Sequence, residues 1–100
     1  MRTTNQRRST VREQSLHVWN STPRPLSLFL EPWGEAYTVP PESGVDIVGE
    51  GPTEGRFEVS IQEHGIAVYG WTGSVAHVLK DGEVLAPFAA EPVDGTGGSR

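Results

Sequence analysis

The chain has no cysteine among its 100 residues, which excludes disulfides, thiolate-bound metals, iron–sulfur clusters and a cysteine nucleophile. It has no apolar run long enough to span a bilayer, and its start, MRTTNQRRSTVREQ, is too polar and basic to serve as a secretory signal. Both absences fit a reducing compartment, so the expected location is cytoplasmic and away from membranes. Internal repeats and helical periodicity of useful length are also missing.

Positive charge is scarce beyond the first thirteen residues. Residues 1–13 carry Arg2, Arg7, Arg8 and Arg12 against Glu13, whereas residues 14–90 carry only Arg24, Arg56 and Lys80 against ten acids, a net of −7. An acidic body repels nucleic acid and anionic lipid, which argues against both as partners. The basic start reads as a disordered solubilising arm, 1–13, and the tail EPVDGTGGSR as a flexible end, 91–100.

The usual catalytic and cofactor patterns are absent too. The histidines are His17, His64 and His77, with no metal-ligand spacing and no zincin pattern. No serine sits in a Gly-x-Ser-x-Gly elbow, and the glycine-rich stretch GEGPTEG, residues 49–55, is acidic, which opposes phosphate binding. Glu50 and Glu54 lack the spaced ligand set of a calcium loop and read as part of a solvated connection. Neither a cofactor nor a metal is expected, and nothing points to an enzyme.

What the chain does contain is short alternating or apolar runs separated by glycine and proline, the pattern of an antiparallel all-β domain. The predicted strands are 15–20, 26–31, 35–39, 45–49, 56–63, 66–71, 74–80 and 83–88. Three two-residue turns, His64-Gly65, Thr72-Gly73 and Asp81-Gly82, predict a four-stranded meander in the second half. Their register pairs Ile61 with Val68, Val68 with His77 and Leu79 with Val84. One face then collects Phe57, Val59, Ile61, Ile66, Val68, Val75, Leu79, Val84, Ala86 and Phe88, with His77 buried among them. The first half, where Leu26, Leu28 and Leu30 alternate, is expected to cover that face with a second sheet. The fold class is therefore an antiparallel β-sandwich of seven or eight strands over residues 14–90, with a small barrel as the alternative.

Within the first half, Pro32 and Gly34 of EPWGE predict a bend that ends one strand and begins the next, with Trp33 closing one end of the sandwich. Glu31 and Glu35 flank this bend, and their bland reading as bend residues is preferred to that of an acid pair. The stretch from Asn20 through STPRPLSLFLEPWGEAYTVPPESGVDIV resembles small bacterial all-β proteins of no known activity. They carry an Asn-Thr-type loop, a proline, an alternating apolar strand, Glu-Pro-Trp-Gly and a Pro/Gly turn. The match covers about a third of the chain, and PPESG stands where a tighter turn would be usual. The arrangement is also similar to cupredoxin-like and immunoglobulin-like sandwiches, although the copper site of the former requires a cysteine.

The outer face of the predicted meander carries the main functional expectation. It gathers Ala67, Tyr69, Trp71, Ala76, Val78 and Leu85 inside a polar rim. Aromatic-centred patches of this kind are typical of interfaces. Tyr69, Trp71, Val78 and Leu85 are accordingly expected to bind a protein partner or a second copy, as in a homodimer. On this register Trp71→Glu should abolish association and leave thermal stability nearly unchanged. The alternative is a carbohydrate or small-ligand binder in which Trp19, Trp33 or Trp71 stacks on a ring and nearby acids or Asn20 hydrogen-bond to it.

Overall fold

The structure, a computed structural model, describes residues 10–88. Eight strands run β1 (Val11–Asn20), β2 (Leu26–Glu31), β3 (Glu35–Val39), β4 (Ser43–Pro52), β5 (Glu58–Gln62), β6 (Gly65–Tyr69), β7 (Val75–Lys80) and β8 (Glu83–Val84). They form two four-stranded sheets, ordered β1-β4-β7-β8 and β3-β2-β6-β5, packed as a β-sandwich that does not close into a barrel. Strand β1 begins at Val11, so residues 11–13 belong to the sheet and not to the expected arm. Residues 1–9 of that arm, and the expected tail 91–100, lie outside the described residues.

The two sheets are interleaved in sequence, which corrects the expectation of one sheet from each half of the chain. The Thr72-Gly73 turn exists, with Ser74 N donating to Trp71 O at 2.8 Å and Gly73 at φ 83°, but it carries the chain across the sandwich. β6 stays in one sheet beside β2, in the one parallel pair among the described strands. β7 joins the other sheet against β4, pairing Ile47 with Val78 and Val48 with His77.

Facing is inherited from the partner strand, so this crossing inverts the expected faces of β7. Val78 is fully buried and Leu85 packs against the core, whereas Val75, His77 and Val84 are exposed. His77 is therefore not a core residue. The Asp81-Gly82 turn is as expected: both residues have positive φ, 52° and 85°, and Leu79 pairs with Val84 and Lys80 with Glu83.

The first hairpin of the second half shifts by two residues. Its turn is Glu63-His64, with Gln62 opposite Gly65, Ile61 opposite Ile66 and Val59 opposite Val68. Gly65 does not serve as a left-handed turn residue; it opens β6, where a Cβ would run into the Ser27 carbonyl of β2. A shift of two preserves facing, so Val59 and Ile61 remain on the inward side, in line with Leu28 and Leu30.

The core consists of Leu28, Leu30, Tyr37, Val39, Val45, Ile47, Val68 and Val78, drawn from the central strands of both sheets and from β3. The bend of EPWGE holds as expected: Leu30 pairs with Glu35 across residues 31–34, with Gly34 at φ 72°. Beyond β8 the chain leaves its sheet, and Phe88 N donates to Ala36 O of β3 at 2.9 Å. The predicted strand 83–88 is thus reduced to two residues followed by a strap onto the edge of the opposite sheet.

Tyr37 contributes the one buried phenol. Burial, and then Glu35 accepting its hydroxyl hydrogen bond at 2.8 Å, push its pKa far above the ordinary 10.0. A folded-state pKa raised in this way adds stability that is complete below the unfolded value and is lost as pH rises above it. The melting temperature of the native chain is expected to fall from about pH 10 upward. That of Tyr37→Phe should fall less steeply, and equal slopes in parallel melts would remove Tyr37 as the cause.

Candidate interaction surfaces

The four residues expected to form one outer patch are separated by the crossing between sheets. Tyr69 lies on the outer face of its sheet, 38% exposed, between Glu31 on β2 and Glu58 on β5. Val78 and Leu85 are in or against the core. Trp71 is half-buried at one end of the sandwich. Its ring meets Phe57 edge-on with centroids 5.1 Å apart, and its indole N–H donates to Pro52 O at 2.9 Å. Glycines make room for it: a Cβ on Gly49 would lie 2.6 Å from the Phe57 ring, and one on Gly51 would lie 3.0 Å from the Trp71 indole nitrogen. Trp71 is therefore a packing residue, placed there because β4 presents glycines where its inward side chains would otherwise stand.

The three alternative ligand residues also part company. Asn20 is 2% exposed, and its amide is spent inside the protein. Its Nδ2 donates to the carbonyls of Arg24 (2.7 Å), Val39 (3.0 Å) and Pro40 (3.2 Å), while Oδ1 accepts from Thr22 N (3.0 Å) and the Thr22 hydroxyl (2.8 Å). With donor and acceptor both engaged, Asn20 ties the β1–β2 loop to the end of β3 and has no capacity left for a ligand. Trp33 covers Gly70 at the end of β6 and, with Tyr69, lines a small cleft of about 270 Å³.

Trp19 is the most exposed tryptophan, at 55%, and stands on β1 beside a cleft of about 350 Å³. Gly44 opposite it leaves room for the rings of Trp19 and His17 side by side. The same cleft is lined by Asp46, which pairs with His17 Nδ1 at 2.7 Å, and by Lys80, whose Nζ donates to the Ser43 hydroxyl at 2.7 Å. His64 is exposed in its turn, and Glu35 faces Tyr37. Among the described residues no three His, Asp or Glu side chains converge on a common point, and no helix is long and apolar enough to cross a membrane.

The sequence reading missed the most exposed apolar feature because it placed that feature in the core. Ile61 is 81% exposed and Val59 41%, although both are on the inward face of β5. The opposite sheet does not reach over them, and the sandwich is open along that flank. A cleft of about 530 Å³ opens at the end of this stripe between the β1–β2 loop and the β5–β6 turn, lined by Pro23, Pro25, Leu26, Ile61 and Ile66 among others. The alternation of β5 signals an inward face correctly; nothing local to it signals that the opposite sheet stops short of covering it.

Sheet edges are where a sandwich can add a strand, and three of the four are guarded. β8 is only two residues long, β3 is met by Phe88, and β1 carries Arg12 and Gln14 on its inward side. Short edges, covered edges and inward polar residues are the usual protections. β5 has none of them on its inward face. Among the described residues these features define a β-sandwich with one open edge; comparison with protein-family models, curated proteins and solved structures finds no match for the chain.

Proposed function

We propose that this protein is a non-catalytic interaction module that accepts an extended strand along β5. The observation that carries this reading is the coincidence of an unguarded edge with an uncovered apolar stripe, Val59 and Ile61. In a two-residue hairpin the pair flanking the turn exchanges hydrogen bonds. Gln62, Ser60 and Glu58 therefore turn their backbone groups to β6, and Ile61 and Val59 turn theirs outward. An added strand would satisfy these groups, and its alternate side chains would lie against Val59, Ile61 and the apolar cleft beyond them. Tyr69 sits on the other face of the same sheet and would form part of the rim.

Selection of a displayed random-peptide library on the full chain tests this reading. Enriched peptides should alternate apolar and polar residues and should lose binding to Ile61→Lys. That variant places a charge on a side chain that is already exposed, so its stability should stay within about 0.5 kcal/mol of the native chain. Enrichment that is indifferent to Ile61→Lys would remove β5 as the site.

The cleft beside Trp19 supports a second reading, in which a sugar ring stacks on the exposed indole while Asp46 and Lys80 supply polar contacts. Titration with neutral oligosaccharides should then change the tryptophan emission of the native chain and leave that of Trp19→Ala unchanged. An identical response from both proteins would rule out Trp19 as the platform.

A further inference from the structure

We infer that the strand accepted by β5 is β5 of a second copy of this chain, related by a two-fold axis through Ser60. This rests on the strand-addition reading above and names its occupant. An isologous contact must be complementary to itself. Antiparallel pairing about Ser60 places Val59 opposite Ile61 of the second copy and Ile61 opposite its Val59, with Ser60 opposite Ser60. Three properties of the described strand fit this register and no adjustment of the fold is needed.

The first is backbone polarity. Val59 and Ile61 are the residues whose N–H and C=O point outward, and in this register they oppose each other, so two hydrogen-bonded pairs form across the axis. The second is facing. Pairing odd residues with odd keeps both inward stripes on one side, where the exposed β-branched side chains cover one another; a one-residue slip would oppose inward to outward. The third is charge. Glu58 falls opposite the neutral Gln62, so no acid opposes an acid within the strand. Arg56, exposed just before β5, is carried toward the Glu63-His64 turn of the second copy. The product is a continuous eight-stranded sheet, β3-β2-β6-β5 followed by its two-fold mate, in which neither copy has an unguarded edge left.

The acidic bodies repel at longer range, which predicts a contact that tightens as salt screens them. The test is the solution mass of the full chain by light scattering over a range of concentrations and salt, combined with amide hydrogen exchange at Val59 and Ile61. The expected result is a concentration-dependent dimer, favoured by salt, in which these two amides become protected as the dimer forms. Ile61→Lys should weaken it by about 100-fold, since a roughly tenfold loss is counted once for each copy. A dimer unaffected by Ile61→Lys would overturn the inference. So would a monomer whose Val59 and Ile61 amides exchange freely at every concentration, and so would a monomer in which they are protected at every concentration, which would assign the edge to a terminal segment of the same chain. A monomer that still binds selected peptides through Ile61 would overturn self-pairing alone and leave strand addition standing.

Discussion

Trp71→Ala should lower the stability of the domain by about 3 kcal/mol, the lower end of the range for removing a large aromatic because the ring is half-buried. The loss has separate sources. The edge-on contact with Phe57 disappears, the Pro52 carbonyl loses the indole N–H, and Gly49, Gly51 and Gly55, which have no side chains of their own, lose the ring that packs on them. Trp71→Glu should be at least as damaging, because a carboxylate would have to lie against Phe57 and the glycine floor. This is the reverse of what the sequence suggested, namely that Trp71→Glu would disturb association alone. Urea unfolding of both variants decides the matter: a change below about 1 kcal/mol would return the ring to the surface.

Asn20→Ala should cost a further distinct amount, about 2–3 kcal/mol, even though the removed side chain is small. The cost comes from what is left behind. Val39 is fully buried, and without Nδ2 its carbonyl has lost a partner that water cannot replace; the Thr22 N–H loses its acceptor in the same step, while the Thr22 hydroxyl keeps only the Arg24 carbonyl. For a domain of this size each kilocalorie shifts the melting temperature by roughly 4–8 °C, so a fall of roughly 8–24 °C is expected. Asn20→Asp is the informative companion. It keeps the acceptor toward Thr22 but turns a carboxylate toward the three carbonyls of Arg24, Val39 and Pro40. Its melting temperature should also fall, and should recover on acidification as the carboxyl takes up a proton. An Asn20→Ala protein that melts with the native one would show that the loop is held by other contacts.

Local chemistry made much of this architecture legible. The alternation of Leu26, Leu28 and Leu30, the bend at Pro32 to Gly34 and the Asp81-Gly82 turn are short-range features, and the structure contains each as expected. The Thr72-Gly73 turn was also read correctly as a turn. What its residues do not encode is whether the chain, once turned, pairs with the strand it has just left or with β4 on the other side of the sandwich. That choice depends on Val78 finding Ile47, a contact made far along the sequence. Because β7 changes sheets, its inward and outward residues exchange, which accounts for the displacement of His77, Val78 and Leu85 together. The buried amide of Asn20 was hidden for a similar reason: its carbonyl partners on β3 and in the following loop lie about twenty residues downstream.

Interleaving also governs the order in which the domain can form. β2 has only the hairpin strand β3 beside it until β6 is present, and β4 has only β1 until β7 is present. A chain growing from its N-terminus thus carries Leu28 and Leu30 without a neighbour strand on one side until β6 is made at 65–69, and Ile47 likewise until β7 is made at 75–80, so both sheets are joined up by consecutive strands. Loop-closure entropy must be met before these distant pairings return any stabilisation, so folding is slow for the size of the domain and cooperative. The sandwich has no half that could stand alone, and an N-terminal fragment ending before β6 would expose the apolar stripes of two unfinished sheets and aggregate.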